Sequence, residues 1–139
     1  MGLLVETRTL GQQGLTSSAL GYGAMGTVIA YGPTDDTESI AAIRRARELG
    51  TTHFDTAEMY GWGDGGKLLG KAVAPFRDEI TIATKFGLTR SFGQNSQPDH
   101  IREVVDNSLR NLNVEVIDLL YQHAPDPEVP VEDVVGVMK

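Results

Sequence analysis

The sequence predicts an α/β fold built on parallel strands. Short β-prone runs alternate with helical patterns along the chain, and glycine- or proline-rich loops separate them. No repeat, low-complexity tract or long linker interrupts the order. Strands joined through helices pair in parallel by right-handed crossovers. Two architectures satisfy this order: a doubly wound sheet, or part of a (β/α)8 barrel.

The elements follow in turn. Arg8 to Leu20 holds two short polar-apolar pieces around Gly11-Gln12-Gln13-Gly14, which read as a β-hairpin with glycine supplying the turn. A glycine-rich strand end, Leu20 to Gly26, comes next; glycine there lets a backbone or a ligand approach closely. Thr34-Asp35-Asp36 reads as a cap for a helix from Glu38 to Leu49, with Gly50 as its stop. Thr51 to Asp55 is a short strand. The loop Tyr60 to Gly66 leads to a helix at Lys67 to Val73, ended by Pro75. Ile80 to Lys85 is the next strand, followed by a polar loop to Gln97. Pro98 suits the first turn of the clearest helix, in which Ile101, Val104, Val105, Ser108, Leu109 and Leu112 recur at helical spacing. Val116 to Tyr121 is a strand ending at Gln122-His123, and Val131 to Lys139 begins another helix.

The 139 residues are enough for one small domain with a real core. A net charge of −7 repels phosphate backbones and anionic lipid, so no nucleic-acid or membrane partner is expected. His100 and the group Arg44, Arg45 and Arg47 read as solvated helix faces. With no cysteine, thiolate chemistry is excluded and a reducing cytoplasm is compatible. No apolar run reaches membrane length and no leader pattern stands at the N-terminus, so the expected location is cytoplasmic.

The chemistry lies at the strand ends. Asp55, Lys85 and His123 close three consecutive strands at the carboxyl end, where α/β folds place their sites. Singly, each reads as a cap, an edge charge or a packed residue. Parallel neighbours lie about 4.8 Å apart, so together they can converge. Tyr60 follows Asp55 by one short loop. A cation paired with Asp55 would favour the phenolate of a nearby tyrosine, giving a usable proton donor and acceptor. His123 could orient a polar substrate atom. This is general acid chemistry on an oxygen, as carbonyl reduction requires.

The segment His53-Phe54-Asp55-Thr56-Ala57-Glu58-Met59-Tyr60-Gly61 resembles the aldo-keto reductase signature. Ile82-Ala83-Thr84-Lys85 and Val116 to His123 resemble that family's strands ending in its catalytic Lys and His. Gly14-Leu15, Ala19 to Gly23 and Leu68-Leu69-Gly70-Lys71-Ala72 are family-like in place and order. The resemblance implies the first half of a (β/α)8 barrel, with residues 1–139 as about four βα units of one domain and a hairpin plugging the barrel bottom. It implies NADPH-dependent reduction of aldehydes or ketones, without a metal. Tyr60 would be the general acid, Lys85 and Asp55 its tuning pair, and His123 the substrate-orienting group. Gly23, Ala24, Met25 and Asp55 would lie against the nicotinamide ribose, and Trp62 would wall the substrate. Where the family often carries Asn-Glu, this chain reads Gly65-Gly66, which suggests a late-starting second helix or a mobile loop. A complete barrel takes roughly 250 residues. The isolated chain is therefore expected to bind NADPH weakly and to self-associate through open half-barrel edges.

Two other readings compete. His53 and Asp55 face one way on a strand and, with His123 and a modified Lys85, could hold zinc or manganese in a hydrolase. His53 otherwise reads as a buried core residue. Alternatively, the chain serves as a non-enzymatic binding or regulatory module that keeps the motifs.

Overall fold

A computed structural model describes residues 5–139. The four residues before them, part of the stretch without a leader pattern, lie outside the described residues. The chain opens with an antiparallel hairpin of β1 (Thr7–Leu10) and β2 (Leu15–Ser18). Gly11 and Gly14 turn it with φ of 70° and 86°, values that cost a residue with a Cβ more than glycine. Then β3 (Gly21–Gly23), β4 (His53–Asp55), β5 (Thr81–Phe86) and β6 (Leu119–Gln122) form one parallel sheet in sequence order. The helices are α1 (Asp36–Glu48), α2 (Asp64–Val73), α3 (Pro98–Leu112) and α4 (Val131–Met138).

Local chemistry sets the helix ends. The Glu38 amide donates to Asp35 Oδ1 at 2.9 Å, capping α1. Pro98 is the first residue of α3, and Asn113 closes that helix in the left-handed region with φ of 54°. One face of the sheet packs on the helices. Phe54 and Ile82 bury themselves with Ile43, Leu69, Val73 and Leu112, while Phe86 joins Ile101, Val104, Val129 and Val134. Each such large side chain contributes about 1.5–3 kcal/mol by leaving water. The alternate residues, Asp55 and Lys85 among them, project to the other face.

The hairpin docks at the amino end of the strands. Ser18 and Thr52 exchange hydrogen bonds: each main-chain amide donates to the other's hydroxyl at 2.8 Å. Ser17 Oγ meets His53 Nδ1 at 3.3 Å, so His53 is a half-buried partner of the hairpin and not a core residue.

Two expectations need correction. α2 starts at Asp64, and Gly65 and Gly66 are buried inside it. The glycines are there for space: a Cβ on Gly65 would stand 2.5 Å from the Tyr60 carbonyl oxygen, and one on Gly66 would stand 3.1 Å from Asn111 Cβ. β6 pairs only from Leu119, whereas the sequence suggests a strand from Val116. Before it, the Asp118 amide still donates to the Ile82 carbonyl at 3.1 Å, and side chains supply the other contacts. Asp118 Oδ2 accepts from the Ile82 amide at 2.8 Å and from Arg77 at 2.7 Å, and Arg77 also donates to the Val116 carbonyl at 2.8 Å. The α-helix ends at Val73 ahead of Pro75, as expected, and a 3-10 segment runs from Ala74 to Glu79.

Candidate active site

The four strand-end groups come together. Asp55 ends β4, Lys85 is the penultimate residue of β5, and His123 follows β6 directly, its amide donating to the Phe86 carbonyl at 2.8 Å. Asp55 lies in register with Ala83, two residues before Lys85, so both side chains project from the same face. Lys85 Nζ donates to Asp55 Oδ1, to the Thr56 carbonyl at 2.8 Å and to Tyr60 Oη at 3.3 Å. Those three contacts use the three N–H donors of the ammonium. The Lys85 side chain is 17% exposed and that of Asp55 27%, so water screens their attraction only in part.

Tyr60 is 8% exposed. Its ring stands edge-on to the His123 imidazole, centroids 6.2 Å apart at 89°. Burial holds the His123 pKa below the usual histidine range; the Lys85 charge adds to this and Asp55 opposes it. The imidazole is therefore held neutral. Its Nδ1 is buried without a hydrogen-bond partner among the described residues.

Gly23 lies in register with Asp55 at the same end of the sheet. A Cβ there would meet nothing within 4 Å, so the space over this strand end is open. Ala24 is buried behind it and Met25 half-buried beside it. An open, side-chain-free strand end beside a carboxylate fits a flat sugar whose hydroxyls donate to that carboxylate.

Trp62 is placed differently. It lines a cavity of about 440 Å³ on the helix side of the sheet, with Glu58, Thr84, His100 and Asn107. None of the four convergent groups lines that cavity. Arg90 stacks over the Trp62 ring at 5.0 Å. Gly61, Trp62 and Gly63 all take left-handed conformations, with φ of 66°, 49° and 114°. His100 is not a solvated residue: its side chain is 23% exposed, and Nε2 faces Glu58 Oε1 at 3.7 Å. Sequence reasoning passed over Glu58 as well, although it sits inside the motif that carries Asp55 and Tyr60. Of the arginines, Arg44 and Arg45 are exposed, while Arg47 is half-buried and paired with Glu79.

Among the described residues, no three His, Asp or Glu side chains gather so as to hold a metal ion. His53, offered as a ligand with Asp55, is engaged by Ser17 instead. No helix among the described residues is long and apolar enough to cross a membrane.

Parallel strands joined through helices thus gather an ammonium, a carboxylate and a buried phenol at their carboxyl ends. The aldo/keto reductase family model matches residues 19–139, and the chain belongs to that family. A probable aldo-keto reductase of Glycine max is 42% identical over 97% of this chain. The aldo-keto reductase yakc of Schizosaccharomyces pombe, whose name specifies NADP(+), is 35% identical over 97% of it. The chain spans 41% of the length of each of these relatives. Among solved structures, the holo form of an aldo-keto reductase from Bacillus halodurans superposes with a TM-score of 0.84 at 29% identity, covering 96% of this chain and 45% of that one. A glycerol dehydrogenase of Gluconobacter oxydans gives 0.82 at 29% identity, covering 98% and 44%. The hairpin and parallel sheet are thus the first half of a (β/α)8 barrel.

Proposed function

We propose that the chain carries the proton-transfer half of a reductase site that converts aldehydes or ketones to alcohols with NADPH. The observation that carries this reading is the Lys85 ammonium, bonded at once to Asp55 and to the Tyr60 hydroxyl. Tyr60 acts as general acid. As the carbonyl oxygen gains charge it takes the Tyr60 proton, and the ammonium stabilises the phenolate left behind. Asp55 holds Lys85 aimed at the Tyr60 hydroxyl. Neutral His123 donates an N–H to the same oxygen and orients it. NADPH, when bound, supplies the hydride. Gly23, Ala24, Met25 and Asp55 hold its ribose in this reading, since they form the open strand end beside the carboxylate. His123 contacts the substrate at its oxygen, whereas Trp62, expected to wall the substrate, lines the separate cavity on the helix side. The whole of residues 1–139 acts as one part of a single barrel domain in the cytoplasm, and its open strand edges pair with another chain.

The test is NADPH oxidation followed by absorbance with a reactive aromatic aldehyde. Turnover is expected from a complete barrel that carries this half and, weakly or not at all, from these 139 residues alone. Tyr60→Phe in that complete barrel is expected to lower kcat by about 100-fold or more, the usual worth of a positioned general acid. Unchanged turnover in that variant would remove Tyr60 from the role.

A further inference from the structure

Tyr60 belongs to no strand, so something else must fix its hydroxyl against Lys85. The loop that carries it runs along β5. The Thr56 amide donates to the Ala83 carbonyl at 2.9 Å, and the Glu58 amide donates to the Lys85 carbonyl at 3.1 Å. The Glu58 side chain then reaches past Lys85. Its Oε1 accepts from the Leu88 amide at 3.1 Å. That amide is turned toward it where β5 leaves the sheet through Gly87, whose φ of 104° favours glycine. On the far side stands His100 of α3, with Nε2 at 3.7 Å.

From this geometry we infer that Glu58 is a positioning residue: it clamps the Tyr60 loop to the exit of β5 and so sets the Tyr60–Lys85 separation. One residue grips β5 and its exit at two points, by main chain at Lys85 and by side chain at Leu88, three residues on. The carboxylate is only 10% exposed. Burial pushes its pKa up, while His100 and the Leu88 and Gly87 amides pull it down. A carboxylate is costly to bury for packing alone. Asp55, Lys85, Tyr60 and His123 make no contact with it through their side chains in the hydrogen bonds of the described residues. Its role is therefore mechanical, and it rests on the reductase reading only for its consequence in turnover.

The experiment compares Glu58→Met, which keeps the volume and removes the acceptor, with Glu58→Gln, which keeps the acceptor and removes the charge. In wild type and Glu58→Gln, NMR is expected to show slowed Leu88 amide exchange and a nuclear Overhauser contact between the Tyr60 ring and the Lys85 ε-methylene. In Glu58→Met, with circular dichroism unchanged, Leu88 exchange rises by about tenfold or more and that contact weakens. Retention of both signals in Glu58→Met overturns the clamp. So does open-chain exchange of the wild-type Leu88 amide, a reading that holds even if Glu58→Met does not fold. In an active complete barrel carrying this half, Glu58→Met should lower kcat by roughly 10- to 100-fold with KM nearly unchanged, and Glu58→Gln should restore it. A complete barrel carrying this half that shows these NMR signals without turnover counts against the reductase reading and leaves the clamp standing.

Discussion

His123 resists protonation because burial and the Lys85 charge both disfavour a second cation beside them, with Asp55 opposing. Its folded pKa lies below the unfolded value, so folding releases protons from this group as the solution acidifies. Its contribution to stability is present above about pH 6.5 and is lost as pH falls through the lowered folded value. Urea unfolding between pH 7.5 and 5 should show stability falling with acidity, and His123→Gln should flatten that slope. An equal slope in the variant would assign it to other groups. At this scale the sequence was legible where residue type and strand end coincide: Asp55, Lys85, Tyr60 and His123 were picked out and do converge. It was illegible at Glu58 and His100. Their pairing depends on a main-chain amide turned inward at Gly87 and on which face of α3 meets a loop about forty residues earlier, and no local pattern encodes either.

Among the elements, α2 is set by what presses against it. Its glycines mark contact surfaces, and Gly70 is the tightest: a Cβ there would stand 2.2 Å from the Leu112 carbonyl oxygen and 2.9 Å from Leu112 Cα. Alanine at this position gains about 1 kcal/mol of helix propensity. It also forces α2 away from the end of α3, and such overpacking costs about 1–3 kcal/mol or more. Gly70→Ala should therefore lower the melting temperature. Gly136→Ala, in α4 where a Cβ meets nothing within 4 Å, should leave it unchanged or raise it. Two equal shifts would refute the steric account. The helix spacing of α3 was plain in the sequence because all six of its periodic apolar or small positions are buried or half-buried. The early start of α2 was not. Two glycines argue against a helix on propensity alone, and the neighbours that demand glycine, Tyr60 and Asn111, are distant in sequence or out of helical spacing.

The whole molecule is a four-stranded open sheet in which β3 and β6 each pair on one side only among the described residues. Tyr121, on the face shared with Lys85, is 42% exposed. Unpaired edges beside an uncovered face invite a second strand. Sedimentation of the isolated 139 residues should show species above 15.0 kDa that grow with concentration, and a monomer at all concentrations would refute edge pairing. The parallel order and its hairpin were readable because alternating patterns admit few connections. Choosing between a doubly wound sheet and a barrel required more than the pattern, since both begin alike. The register of this sheet has one further effect. Asp55, Lys85 and His123 share a face only because each strand reaches its end at the right parity, and a side chain changes face with every single step along a strand. Removing one residue inside β5 would rotate Lys85 to the helix layer and bring Thr84 or Phe86 to the mouth. The catalytic alphabet of this half-barrel is thus written in even intervals, and its strands can lengthen or shorten without loss of chemistry only by two.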